Sequence, residues 1–158
     1  MIRAGVLLPT AGVLVGSSGC GRQVSGSGWG TPGSTVTALN AAATIRNTCG
    51  KDPAPLFRFP YGERDSRTIS AVNSAGYVAV RWTVDTLGWQ GTSEGRSVRS
   101  VIARVVAQAQ PGEIVLMHVG ANPYDNSTLD ADALPGMIQA LHSMGYAFVN
   151  LNTLLTAG

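Results

Sequence analysis

The spacing of apolar positions changes repeatedly along the chain, and this alternation predicts strands that take turns with helices. Short apolar runs, which are typical of strands, lie at 56–59, 77–84, 111–119 and 146–151. Segments with apolar residues three and four positions apart, which are typical of helices, lie at 35–48, 66–76, 97–109, 132–145 and, as a short terminal turn, 152–157. This order predicts a mixed α/β fold built from βα units around a parallel sheet.

The N-terminal part differs from the rest in its pattern. Residues 1–20 combine Arg3 with an apolar stretch and small residues before Cys20, which is typical of a secretion signal or a bacterial lipoprotein signal. The other interpretation is a core strand behind a start codon placed inside a longer reading frame. Residues 21–34 are rich in glycine and serine and are predicted to be a linker. The signal interpretation places the protein outside the cell or in the cell envelope.

The two cysteines leave two alternatives open. Cys20 and Cys49 form one disulfide, or a lipid anchor occupies Cys20 and Cys49 is a buried thiol.

Composition excludes one class of partner. With 158 residues, 13% charged residues and a net charge of +2, the chain is a single globular domain without a strong field. Its arginines are scattered and do not alternate with aromatic residues, so no nucleic-acid surface is predicted.

Polar side chains stand where three of the predicted strands end. Arg58 closes the first strand. Pro60 then fixes the backbone, and Gly62 allows a conformation that other residues would resist. Asp85 closes the second strand, and Trp89 follows it in a loop. His118 ends an apolar strand. Because the ends of βα strands meet on one side of such folds, these residues are candidates for a common site.

These stretches, taken together, resemble the polysaccharide deacetylase family, carbohydrate esterase family 4. The family's third motif is similar to "RFPYG" at 58–62, its fourth to "DTLGW" at 85–89 and its fifth to "LMH" at 116–118. Residues 133–155 resemble the helix and strand that close such domains. The resemblance implies that 35–158 is the C-terminal portion of a deacetylase domain, an incomplete distorted (β/α) barrel.

The resemblance also implies roles for single residues. Arg58 would orient the aspartate that acts as base. Asp85, in the neighbouring motif, would be a further catalytic residue. The backbone N–H of Tyr61 would help to hold the oxyanion. Trp89 and Leu116, with Tyr61 beside the sugar, would line the substrate pocket. His118 would protonate the leaving group. The implied reaction is the metal-assisted removal of N- or O-acetyl groups from peptidoglycan, chitin or xylan, with zinc as the usual ion.

The chain departs from the family in ways that concern the metal. Gly88 stands where members often carry an aspartate, and Val119 where an acidic or amide residue often follows the histidine. The aspartate pair and the His-x-x-x-His motif that supply the base and the metal ligands do not occur in this sequence. A three-ligand zinc site cannot be assembled from the remaining residues, and we therefore expect no metal and little or no activity from this chain.

Two other functions fit parts of the sequence. "GTSEG" at 91–95 matches a serine-hydrolase elbow, with Ser93 as nucleophile, Asp125 or Asp130, and His142 in the appropriate order. The motif requires a strand that runs into Ser93, whereas the preceding residues are predicted to be loop. Alternatively, the chain is a non-catalytic remnant that binds carbohydrate through Trp89 and Tyr61.

Overall fold

The computed structural model describes the backbone of residues 3–9 and 35–155. The chain divides into a larger unit, Met1–Ser18 with Trp82–Gly158, and a smaller unit, Gly19–Arg81. The strands are β1 Arg3–Pro9, β2 Leu56–Phe57, β3 Val78–Ala79, β4 Val84–Asp85, β5 Ile114–Met117 and β6 Tyr146–Val149. The helices are α1 Thr35–Cys49, α2 Ser66–Ser74, α3 Val98–Val106, α4 Leu129–Ser143 and α5 Leu151–Leu155.

The larger unit is built on a four-stranded sheet of order β4-β5-β1-β6. Strands β4 and β5 are parallel, as expected from the βα pattern, whereas β1 runs antiparallel to both β5 and β6. The core-strand interpretation of the N-terminal stretch agrees with β1. The secretion signal stays a prediction, and the predicted linker and Cys20 lie outside the described residues.

Two helices cover this sheet. Helix α3 begins with a capping box in which Ser97 and Ser100 each accept a hydrogen bond from the other's backbone N–H. It packs on α4 through Val101 and Val105, which are fully buried, as is Leu141 of α4. Burial of such side chains stabilises the fold by about 1.5–3 kcal/mol each.

Within its described residues, 35–81, the smaller unit contains two helices and a two-stranded parallel sheet, β2-β3. Its core is formed by Ala42, Phe59, Val72 and Tyr77. The capping box at Asp65 begins α2. Cys49, at the end of α1, is disulfide-bonded, and its partner lies outside the described residues. Of the two fates considered for Cys49, the structure therefore contains the disulfide.

Two features of the predicted fold need correction or stay open. The predicted strand 77–84 is divided into β3 and β4, which belong to different sheets. The mixed α/β class is confirmed. A distorted barrel is not, because the strands within the described residues form two open sheets and no closed one.

Candidate functional site

An aspartate–histidine pair lies where β4 and β5 end. The parallel register sets Asp85 beside Leu116, so that His118 follows just beyond the end of the neighbouring strand. The Nε2 atom of His118 lies 3.1 Å from Oδ1 of Asp85, and both side chains are about three-quarters buried. A carboxylate at this distance fixes the orientation of the imidazole ring.

Backbone groups and an arginine fix Asp85 in this position. The N–H of Leu87 donates to Oδ1 of Asp85 at 2.9 Å, and Nε of Arg104, in the last turn of α3, donates to the Asp85 carbonyl at 2.7 Å. Burial acts to raise the pKa of Asp85. The hydrogen bonds from His118 and Leu87 outweigh this effect and hold the pKa below its ordinary value.

A second carboxylate, Asp130, lies at the start of α4 and is 4% exposed. Its Oδ2 atom accepts the backbone N–H of His118 at 2.6 Å and the hydroxyl of Thr86 at 3.0 Å. Burial raises the pKa of Asp130, although these two hydrogen bonds oppose the shift. Asp130 therefore connects the ends of β4 and β5 to the first turn of α4.

An aromatic surface borders the pair. Trp89 is 52% exposed, and its ring centroid lies 6.3 Å from that of His118. The buried side chain of Asn122 donates from Nδ2 to the Trp89 carbonyl at 2.9 Å and accepts the N–H groups of Tyr124 and Asp125 through Oδ1. The loop after β5 thus holds the loop that carries Trp89. A half-exposed indole beside a titratable group is suited to stacking against a sugar ring.

The comparisons with known proteins identify relatives of this chain. The chain is 30% identical over 120 residues to a chitooligosaccharide deacetylase of Sinorhizobium fredii, an alignment that covers 72% of this chain and 54% of that protein. The chain is homologous to the deacetylases of carbohydrate esterase family 4. Other curated relatives are peptidoglycan-N-acetylglucosamine deacetylases of Bacillus cereus and a bifunctional xylanase/xylan deacetylase of Cellvibrio japonicus. No family model matches the chain.

Solved structures of family 4 proteins share the fold. A family 4 carbohydrate esterase from Streptomyces lividans in complex with acetate matches with a TM-score of 0.56 and 26% identity, covering 70% of this chain and 52% of that one. A family 4 pseudoenzyme from Bacillus anthracis matches with a TM-score of 0.65 and 24% identity over 77% of this chain and 39% of that one. The chain spans about half the length of the first curated relatives it matches.

The structure brings together three of the predicted site residues. Asp85, Trp89 and His118 lie at adjacent strand ends of the larger unit. Leu116 is buried in the strand beside them, and its role in lining an acetyl pocket stays a prediction.

The other two predicted residues belong to the smaller unit. Arg58 donates from Nη1 to the carbonyl of Phe59, and Tyr61 is almost fully exposed in a short turn at Pro60–Gly62. Both Tyr61 and Gly62 have positive φ, a conformation that glycine adopts readily and tyrosine seldom does. The roles of Arg58 and Tyr61 stay predictions.

The residues present do not fit the divalent metal that the family implies. Within residues 3–9 and 35–155, no three His, Cys, Asp or Glu side chains form a group that could hold a metal ion. The Nε2 nitrogen of His118, which is a possible metal ligand, is already hydrogen-bonded to Asp85. The described residues therefore do not supply the three ligands that such an ion needs.

The serine-hydrolase motif lacks its structural context. Ser93 lies in a short turn, Thr92–Glu94, that follows another turn at Gly88–Gln90 rather than a strand. The N–H of Ser93 donates to Asp125, so this carboxylate serves the loop and not a histidine. His142 lies at the end of α4 with its ring 5.1 Å from that of Phe148.

Sequence reasoning missed the second carboxylate and the amide that hold the site. Asn122 and Asp130 lie in the acidic segment 122–132 and are only 6% and 4% exposed. Asp130 stands two residues before the predicted helix 132–145, and a polar residue just ahead of a helix was the available signal. Within the described residues, no helix is long and apolar enough to cross a membrane.

Proposed function

We propose that this chain carries the leaving-group side of a site that removes N- or O-acetyl groups from a polysaccharide. The observation that carries the proposal is the hydrogen bond between Asp85 and His118 at two adjacent strand ends, beside the exposed ring of Trp89. Homology to enzymes of chitooligosaccharides, peptidoglycan and xylan supports an acetylated polysaccharide as the ligand.

The chemistry proposed for the pair is proton donation. A water molecule, whose proton passes to a base from outside the described residues, adds to the acetyl carbonyl carbon. As the bond from that carbon to the sugar nitrogen or oxygen breaks, His118 gives a proton to the departing amine or hydroxyl group. Asp85 fixes the orientation of the His118 ring for this transfer. Trp89 stacks on the sugar and holds the departing group near His118.

We further propose that this chain alone binds the polysaccharide but does not hydrolyse it. Activation of water requires a base or a metal ion, and the described residues offer no group that fits the family's metal. The half-exposed ring of Trp89 beside His118 makes binding a second candidate function in its own right.

The test separates these functions with one purified chain and one ligand. Chitopentaose is titrated calorimetrically, and acetate release is measured from the same mixture with and without added zinc. We expect binding that Trp89→Ala weakens by about tenfold, corresponding to about 1.4 kcal/mol, and no acetate. His118→Gln, which keeps the aromatic surface, is the matched control and should bind as the wild type does.

Three results would change the proposal. Acetate release that is lost in His118→Gln would mean that the chain is an active deacetylase. Release that is lost only in Ser93→Ala would favour the serine esterase. Absence of binding to chitopentaose, acetylated xylan and peptidoglycan fragments alike would refute the proposed function.

A further inference from the structure

Asp130 occupies an unusual position for a carboxylate. Its side chain is only 4% exposed, and only one of its two carboxylate oxygens accepts hydrogen bonds from the described residues. Oδ2 accepts from His118 N–H and from the Thr86 hydroxyl, whereas Oδ1 has no hydrogen-bond partner among the described residues. Burying a carboxylate with one unsatisfied oxygen is costly, and the two hydrogen bonds to the other oxygen offset part of this cost.

The hydrogen bonds of Asp130 act on the two strand ends that carry the site. The 2.6 Å bond to His118 N–H fixes the backbone at the residue whose side chain reaches Asp85. The bond to Thr86 fixes the residue directly after Asp85, and Thr86 is itself 1% exposed. The helix N-terminus at Asp130 favours its negative charge. One carboxylate thus sets the relative position of both members of the pair.

Gly88 makes room for this carboxylate. A Cβ atom at position 88 would overlap Oδ1 of Asp130 and lie 2.6 Å from its Cγ. The φ angle of Gly88 is outside the left-handed region, so the backbone itself would accept an alanine. The glycine is therefore required by the position of Asp130 and not by the turn.

We propose that Asp130 is a positioning residue for His118, and that Gly88 and Asp130 act as a coupled pair that keeps the carboxylate in place. This inference rests on the proposed function for its significance in catalysis or binding. Its contacts, however, are measurable without any substrate, and its failure is therefore distinguishable from that of the proposed function.

The test observes His118 by ¹H–¹⁵N NMR in the uniformly labelled chain. Asp130→Asn keeps the shape of the side chain and removes its charge, and Asp130→Ser shortens it so that it no longer reaches His118 N–H. Both should move the His118 amide proton upfield, since a charge-assisted hydrogen bond is weakened or lost. Both should also shift the imidazole nitrogens, because the ring moves relative to Asp85.

Asp132→Asn is the matched control. This carboxylate lies on the same helix, is exposed, and accepts from the Thr128 hydroxyl. It should leave all His118 signals at their wild-type positions. If Asp130→Ser does not fold, Asp130→Asn decides the question. Folded Asp130→Asn with His118 signals no more displaced than in Asp132→Asn would overturn the inference.

The coupling to Gly88 has its own readout. Gly88→Ala should lower the thermal midpoint of the wild type and displace the same His118 signals as Asp130→Ser, because the new methyl group pushes the carboxylate away. In the Asp130→Ala background, which lacks the γ atom that the methyl group would meet, Gly88→Ala should have little further effect. Equal losses in the two backgrounds would show that the residues are not coupled.

Discussion

Glu113 is a carboxylate whose ionisation is made unfavourable by burial. It directly precedes β5 and is completely buried. The N–H of Gln110 donates to Oε2 at 3.2 Å, and Oε1 has no hydrogen-bond partner within the described residues. Burial raises the pKa of Glu113 from 4.5 to about 7, against the smaller opposing effect of the Gln110 N–H. The folded chain therefore holds a proton that the unfolded chain releases.

The direction of the resulting pH dependence follows from this difference. Between the unfolded and folded pKa values the folded state binds more protons, so its stability falls as pH rises and stays at the lower level above about pH 7. At 1.36 kcal/mol for each pKa unit, the whole effect is about 3 kcal/mol, of which roughly 2.5 kcal/mol lies between pH 5 and pH 8.

Glu113→Gln removes the titration while it preserves the shape of the side chain. We expect the wild type to lose about 2.5 kcal/mol of unfolding free energy relative to Glu113→Gln when urea unfolding is repeated at pH 5 and pH 8. The amide leaves an extra buried donor, but this cost is the same at both pH values and cancels in the comparison. Glu94→Gln, at an exposed position, is the control for loss of charge. Parallel pH profiles of the wild type and Glu113→Gln would refute the reasoning.

Two further predictions concern the site and its loops. Asp85→Asn should lower the free energy of unfolding by about 1–2 kcal/mol at pH 7. Because folding lowers the pKa of Asp85, the stabilisation that this carboxylate gives is lost as pH falls. In urea titrations the variant should therefore lose less stability than the wild type between pH 5 and pH 3. Identical acid profiles would contradict this. Asn122→Ala leaves two loop N–H groups without their acceptor and should lower the free energy of unfolding by about 2 kcal/mol. The control Gln139→Ala, at an exposed position, should have almost no effect in the same urea titrations. Equal midpoints for the two variants would show that Asn122 does not hold the loops.

The sequence was sufficient to predict most helices and the short motifs. Apolar spacing located α3 and α4, since Val101, Val105, Met137 and Leu141 are buried as the periodicity requires. The motifs containing Asp85, Trp89 and His118 were recognisable because each combines a rare residue with a strand end. Their proximity followed from the parallel pairing of β4 and β5.

Long-range contacts could not be predicted in the same way. Asp130 is 12 residues beyond His118 and 44 beyond Thr86, and no local pattern tells that one carboxylate serves both. The apolar stretch near the N-terminus favours a leader only slightly over a buried strand, because both are short and hydrophobic. Its antiparallel insertion between β5 and β6 is a property of the tertiary structure alone.

The place of β1 in the sheet has a consequence for how the protein is handled. A cleaved leader and an inner strand are mutually exclusive fates for residues 3–9. In a chain expressed without these residues, β6 would lose its pairing partner in the sheet. Strand β5, which leads into His118, would become an exposed edge strand. Exposed edge strands pair with strands of other molecules. Trimming the first twenty residues as a presumed signal would then produce aggregates, and their absence of activity would say nothing about the site.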